Sequence, residues 1–483
     1  MSYLGLDLGT SGLRALLVAD DGTPIGATER HYEVSHPHSG WSEQNPADWI
    51  VALEGVMDEL RQRHSEFADV SGIGVAGHMH GATLLDASGT VLRPCILWND
   101  TRAHHEASVL DAAPDVRALS GNIVFPGFTA PKLEWVRQNE PEIYDQVAKV
   151  LLPAAYLNFF LTGQYVADMS DSAGTSWLDL GARNWSERLL AAGSMRRDQM
   201  PELVEGSASA GMLKDELAAR WGFSGAVTIA GGAGDNAAAA CGIGAMSEGQ
   251  GFVSLGTSGV LLAARDGYQP DPASAVHTFC HAVPERWYQM GVMLSATDSL
   301  NWLSRITGQS PADLTNDLGD SLRPPSEVRF LPYLSGERTP HNDAGARGSF
   351  TGLSAGTTRA DMTQAVIEGV SFGLRDSLEA LRGTGAQFES LFIIGGGGAS
   401  AYWRKLLATV LGLPLHLPAG GEFGAALGAA RLAIAATQGT PIEEIMTPPS
   451  IAEVIEPDAA LQPAFDLAYQ EFRSAFPAIR AVT

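Results

Sequence analysis

Short apolar runs separated by glycine-centred turns open the chain. Residues 3–8 read as a buried strand, Gly9-Thr10-Ser11-Gly12 as a turn, and residues 13–18 as a second strand. Asp20-Asp21-Gly22 is a hairpin signal, so a third strand is expected from Thr23 onward and the first elements form an antiparallel meander. Asn45 can accept from a free first-turn amide, and Pro46 suits a first helical position. Trp49, Leu53, Val56, Met57 and Leu60 then recur at helical spacing. Residues 70–76 predict a buried strand that delivers Gly77-His78-Met79-His80-Gly81. Strands and helices alternate from there, which is an α/β pattern. The stretch from about 100 to 220 reads as mainly helical, including one helix over 141–160. Residues 227–230 form a strand ending at Gly231, and the small, alanine-rich residues 235–243 form a closely packed helix. Residues 390–394 are a strand that runs into four glycines, 395–398, before a helix starting near Ser400; the last 35 or so residues are helix-prone.

One pattern occurs twice. Leu8-Gly9-Thr10-Ser11-Gly12 returns as Leu255-Gly256-Thr257-Ser258-Gly259, 247 positions later, again between two strand-like runs. A period of half the chain indicates two domains of common plan rather than a solenoid, whose period is roughly 20–50 residues. Residues 244–251 are polar and without periodicity, which puts the division there, into 1–245 and 246–483.

Length agrees, since 483 residues exceed one ordinary core. A formal net charge of −24 argues against a polyanion such as DNA as main partner, although backbone amides and a metal ion can still hold a small anionic nucleotide. The three cysteines, Cys95, Cys241 and Cys280, stand far apart, which suggests neither a zinc site nor a disulfide framework. A strand-like start with no basic-then-apolar leader, and no convincing apolar span, lead us to expect a soluble cytoplasmic protein that binds neither nucleic acid nor membrane.

The chemistry concentrates at the glycine turns. Asp7 before Gly9-Thr10-Ser11-Gly12 can hold a metal through water while the turn's amides bind phosphate oxygens, although a plain hairpin reads the same. Its repetition at Gly256-Thr257 favours a nucleotide clamped between two domains. Arg14 either reaches a terminal phosphate or is a surface charge. Asp235 follows Gly231-Gly232-Ala233-Gly234, whose glycines allow close approach of a ligand, and its carboxylate could take a proton from an attacking hydroxyl or simply cap the next helix. The run 395–398 resembles a nucleotide loop but is no Rossmann fingerprint, and GxxxxGK[ST] is absent. His78 and His80, spaced to share a strand face, permit a metal pair without an evident third ligand; a polar substrate pocket fits better. Trp98-Asn99-Asp100-Thr101-Arg102 suits sugar hydroxyls or an interdomain salt bridge.

These motifs together resemble the FGGY carbohydrate kinase family over residues 3–431. Residues 7–12 and 255–259 resemble its two phosphate loops, and 391–400 its adenosine loop. Phe128-Thr129-Ala130-Pro131-Lys132-Leu133-Glu134-Trp135 looks like one family signature; Gly348-Ser349-Phe350-Thr351-Gly352-Leu353, with 361–368, looks like the other. Residues 41–44, 79–83, 168–171 and 330–341 also match. The resemblance implies two ribonuclease H-like, actin-like domains around a catalytic cleft, the first mainly for sugar and the second mainly for ATP. It implies transfer of the ATP γ-phosphoryl group, with Mg²⁺, to the 5-hydroxyl of D-xylulose. Asp235 matches the catalytic base, Asp7 the magnesium-associated aspartate, and Met79 and His80 the sugar contacts, with Asn236 a neighbour. Thr10, Ser11, Arg14, Gly256, Thr257, Gly396, Gly397, Gly398 and Ser400 match the nucleotide side, and the metal falls to Asp7, through water, and Asp235. Where the family usually carries glutamine before Met79, this chain has His78, which bears on the sugar rather than on the transfer. Within the family, ribulose, glycerol or another polyol is the alternative acceptor; outside it, an actin-like regulatory ATPase. The expected partners are a small sugar and ATP, and a homodimer is the assembly considered.

Overall fold

The computed structural model describes residues 1–419 and 424–482. Two seven-stranded sheets organise them. In the first, Ser2–Leu8 pairs antiparallel with Gly12–Ala19, which pairs antiparallel with Pro24–His31. On its other side Ser2–Leu8 runs parallel to Val70–Gly77, followed by parallel Thr228–Ala230 and antiparallel Ser209–Met212. The second sheet repeats this order and sense. Gly251–Leu255 is antiparallel to Gly259–Arg265 and that strand to Trp287–Met293; on the other side come parallel Leu391–Ile394 and Leu415–Pro418, then antiparallel Ile451–Ile455. His277–Cys280 adds one edge strand. The repeat seen in two five-residue turns is thus a repeat of whole sheets, and both units have the ribonuclease H-like, actin-like plan with helices against the sheets.

Alternation along Ser2–Leu8 decides what each face meets. Leu4, Leu6 and Leu8 pack with Trp49, Leu53, Val56, Met57 and Leu60 of the helix Pro46–Arg63, all fully buried. Asn45 caps that helix as expected, accepting from the Ala47 amide at 3.1 Å. The opposite face carries Tyr3, Gly5 and Asp7. Across it lies Gly424–Gln438, a helix from the far end of the chain, whose Ala426, Ala430, Ala433 and Ile434 form a small core with Tyr3, Leu16 and Val18. Gly5 and Gly74 are register neighbours beneath this helix. A Cβ on Gly5 would stand 1.8 Å from the Ala426 carbonyl oxygen, and one on Gly74 1.9 Å from that of Ala429. The same helix packs as tightly on Asp235–Ile243, where a Cβ on Gly428 would stand 1.8 Å from the Ala238 oxygen.

Several expectations are corrected. Residues 141–160 are not one helix: Pro141–Tyr144 ends early, Lys149–Leu151 is a strand, and a new helix, Pro153–Thr162, follows. Pro153 explains the break, because the residue before a proline is held out of the helical region, and Leu152 is extended at φ −78°, ψ 162°. The C-terminal stretch is helical only over Gln462–Arg480; Ile451–Ile455 is an edge strand held by main-chain pairing, with Ile451 and Val454 exposed. The three cysteines are buried free thiols. Among the described residues no helix is long and apolar enough to cross a membrane.

Candidate functional site

Three neighbouring parallel strand ends build the centre. Leu8 and Gly234 both register with Gly77, so Asp7, His78-Met79-His80 and Asp235 emerge side by side. Asp7 and Asp235 line a cleft of about 630 Å³ together with Gly9, Thr10, Arg14 and Asn236. Ser254 of the second sheet lines the same cleft. It stands at the position equivalent to Asp7 in the repeat, so the duplication keeps the turn and drops the carboxylate.

Asp235 does not cap the helix Asp235–Ile243. It is the first helical residue, and its Oδ1 accepts from the Asn236 amide at 2.7 Å and from Asn236 Nδ2 at 2.9 Å. Burial pushes its carboxyl up to about 6 against these bonds. Asp7 is pushed further, to about 7, first by burial and then by the Asp235 charge, with Arg14 opposing. Behind them lie Asp168 and Asp171. Asp168 accepts from Ser170 and Asp171 and is raised to about 6, mainly by burial. Neither oxygen of Asp171 has a hydrogen-bond partner among the described residues, and burial, Asp168 and Asp235 together raise its carboxyl.

The glycines before Asp235 serve the protein rather than a ligand. Gly232 has φ +87°, and a Cβ there would stand 2.2 Å from the Val75 oxygen; one on Gly234 would stand 2.8 Å from Met79 Cγ. That contact sets Met79 beside Asp235. Tyr288, from the second sheet, donates its hydroxyl to Met79 Sδ at 3.7 Å. The strand ends at Gly77 and His80 turns into the left-handed region at φ +68°, so His78 and His80 do not share a face. The His78 ring packs edge-on against Trp49, and burial pushes it down to about 3. His80 stacks on Phe128 at 4.5 Å and donates Nδ1–H to the Gly174 carbonyl at 2.7 Å. Its own carbonyl accepts from Thr129 Oγ1 and Lys132 Nζ. The paired-histidine metal idea is therefore set aside: among the described residues no cluster of three or more His, Cys, Asp or Glu could hold an ion.

At the first glycine turn, the Thr10 carbonyl accepts from Gln44 Nε2 at 2.6 Å and its Oγ1 from Trp98 Nε1 at 3.0 Å. Ser11 is exposed and outside the cleft lining; its carbonyl accepts from the Tyr32 amide. Arg14 lines the cleft and also pairs with Glu29 at 3.1 Å. A second cavity of about 590 Å³ joins Gly256, Thr257, Gly396, Gly397 and Ser400. Gly398 is buried beside Ile393 and outside that lining. The helix expected from near Ser400 is Ala401–Leu411, and Ser400 caps it. Thr297, Asn301 and Asn316 also line the cavity and were not foreseen, since they come from two ordinary helices without a motif. Arg431 went unseen too; it donates to the Cys241, Gly242 and Thr447 carbonyls and so ties the end of the Asp235 helix to the second half. The run at 98–102 is a structural network within the first half: Arg102 pairs with Asp100 and Glu43, both at 2.7 Å, and lies 3.6 Å over Trp41.

The Asp7 shift has a stability consequence. A carboxyl raised in the fold binds its proton more tightly folded than unfolded. Its penalty is absent below about pH 4, grows as pH rises, and is complete above about pH 7. Asp7→Asn is expected to raise the melting temperature at pH 8 and leave it unchanged at pH 4, a difference on the order of 2 kcal/mol after allowing for solvent. Equal melting shifts at both pH values would refute this.

Comparisons agree with the geometry. Residues 2–242 match the N-terminal domain of the FGGY family of carbohydrate kinases, and residues 251–437 its C-terminal domain. The chain is 46% identical over 477 residues to the xylulose kinase of Escherichia coli (strain K12), covering 98% of each. The crystal structure of a xylulose kinase from Brucella ovis superposes with a TM-score of 0.98 at 56% identity over the whole of both chains. That of Rhodospirillum rubrum does so with a TM-score of 0.91 at 28% identity, over 100% of this chain and 99% of that one. The chain belongs to the FGGY family of carbohydrate kinases.

Proposed function

We propose that this kinase transfers the γ-phosphoryl group of ATP to the 5-hydroxyl of D-xylulose, giving D-xylulose 5-phosphate and ADP. The observation that carries this reading is the convergence of Asp7, Met79-His80 and Asp235 on adjacent strand ends, with Asp7 and Asp235 lining one cleft beside Gly9 and Thr10 while the second copy of the turn, Gly256-Thr257, lines the other cavity. Relatives of nearly full length are xylulose kinases, which supports the choice of sugar.

The sugar lies beside Met79 and His80 with its terminal hydroxyl toward Asp235, and Asn236 holds one Asp235 oxygen so that the other faces the substrate. As the sugar oxygen bonds to phosphorus, its proton passes to Asp235 and the bond to the β-phosphate oxygen breaks. A base with a carboxyl near 6 is ionised at neutral pH and still accepts a proton readily. Adenosine occupies the second cavity, near Gly396 and Ser400, with phosphates along Gly256-Thr257 and the Thr10 turn; approach of the two halves, divided at 244–251, excludes water. Asp7 and Asp235 fit a divalent cation, because both carboxyls are raised by burial, and Asp7 further by the Asp235 charge, so positive charge relieves both. Mg²⁺ bound there supplies charge neutralisation on the phosphates.

A coupled ADP-release assay over D-xylulose, D-ribulose, glycerol and pentitols tests the reading. D-Xylulose is expected to give the highest kcat/KM, with phosphate on O5 of the product. A higher kcat/KM for another acceptor, or ADP release that ignores sugar, would overturn it.

A further inference from the structure

Arg338 comes from the second half of the chain, but its side chain packs against the first half. Its guanidinium carbon is 5.3 Å from the centre of the Phe125 ring, and Nη2 lies 3.6 Å from where a Cβ on Gly127 would stand. Phe125 and Gly127 lead into the helix Thr129–Asn139, which holds His80 through Phe128, Thr129 and Lys132. Among the described residues, the guanidinium has no hydrogen bond and no ion pair. The adjacent Glu337 favours the Arg338 charge, but burial raises its carboxyl to about 8, and its Oε1 accepts from the Arg338 amide at 2.7 Å and from the Leu294 amide at 3.1 Å. The other polar groups facing this space, His80, His277 and Lys132, are all driven towards neutrality, chiefly by burial. Arg338 itself stays charged, lowered only to about 10. A permanent cation with donors to spare, over aromatic rings, in a chain of net charge −24, is a site waiting for an acceptor.

Resting on the proposed function, the chemistry of the sugar says which acceptor. In the ring form of D-xylulose O5 closes onto C2 and cannot attack phosphorus, so the reacting sugar is open-chain and carries a free C2 carbonyl. Met79 stands at Asp235 and His80 at Arg338, so a sugar with O5 at Asp235 extends along Met79-His80 with its C1–C2 end toward the guanidinium. There the C1 hydroxyl and C2 carbonyl oxygens lie side by side, a pair of acceptors matching the guanidinium fork. We propose that Arg338 is a specificity-determining residue that reads the α-hydroxyketone end of an open-chain ketose.

The test compares wild type, Arg338→Met and Arg338→Lys. It measures kcat and KM for D-xylulose, the inhibition constant of xylitol, in which the ketone is an alcohol, and sugar-independent ATP hydrolysis. Arg338→Met is expected to lose roughly 30- to 100-fold in kcat/KM for D-xylulose, mostly in KM, with xylitol inhibition changed less than about threefold and basal hydrolysis retained. Arg338→Lys, a point charge without the fork, recovers part of the loss and carries the test alone if the methionine variant does not fold. Equal losses for ketose and polyol, or D-xylulose kinetics within about threefold of wild type in either variant, overturn the proposal. A wild type with no D-xylulose-dependent ADP release overturns the functional reading instead.

Discussion

Asp235→Ala is expected to lower turnover of D-xylulose by roughly 10³- to 10⁴-fold while leaving the fold and both substrate sites in place. The loss is large because no other group among the described residues can take the proton from that position. Asp7 lies across Val70–Gly77, two strands away, with its own carboxyl raised to about 7, and Asp171 is buried behind. The fold should survive because Asp235 gives the helix no side-chain cap, and its buried charge opposes folding at neutral pH rather than aiding it. Asp235→Asn is the sharper variant, since it keeps size and hydrogen bonding and removes only basicity. Calorimetry should show sugar affinity within a few-fold of wild type, and the coupled assay should show the collapse in kcat. Wild-type kcat/KM should fall on the acid side as the Asp7–Asp235 pair, at about 7 and 6, takes up protons. Turnover within tenfold of wild type in Asp235→Asn would remove Asp235 as the base.

What could be read in advance follows from how local the determinants are. The hairpin turn at Asp20-Asp21-Gly22, the Asn45 cap and the Ser400 cap are local signals, and each element formed where its own residues place it. The repeated turn pointed to a repeated sheet because both copies need the same strand–turn–strand to present amides at a strand end. The break at Leu152-Pro153 was legible in principle, but the apolar run around it masked it. Ile451–Ile455 was not, because its pairing partner, Leu415–Pro418, supplies the order that its own exposed side chains do not. The site divided the same way. Asp7 and Asp235 declare themselves beside glycines. Arg338, Tyr288 and Asp171 reach the centre only through tertiary packing, and the glycines before Asp235 read as ligand-facing in sequence because only the fold brings Val75 and Met79 against them. Least legible was Gly424–Gln438: alanine-rich and without a marked stripe, it says nothing of a partner strand more than 400 residues away.

That helix carries the second large effect. Gly428→Ala is expected to destabilise the protein by about 3 kcal/mol or more and to depress turnover with it. Inside a helix the same change normally gains up to about 1 kcal/mol through propensity. Here the new methyl would stand 1.8 Å from the Ala238 oxygen and 3.0 Å from the Gly242 amide nitrogen, both backbone atoms of the helix that begins at Asp235. Neither can rotate away, so the helices must separate by more than 1 Å, and the clash outweighs propensity. Gly424–Gln438 is pinned on its other side by the sheet beneath Gly5 and Gly74, so the displacement falls on Asp235–Ile243 and moves the base relative to Asp7. Gly383→Ala is the matched control: it lies at the end of the helix Arg359–Gly383, and a Cβ there meets nothing within 4 Å. It should be neutral or slightly stabilising with unchanged turnover. Thermal unfolding and kcat of the two variants together decide the matter, because a Gly428→Ala protein as stable and active as the control would show that these helices are not closely apposed.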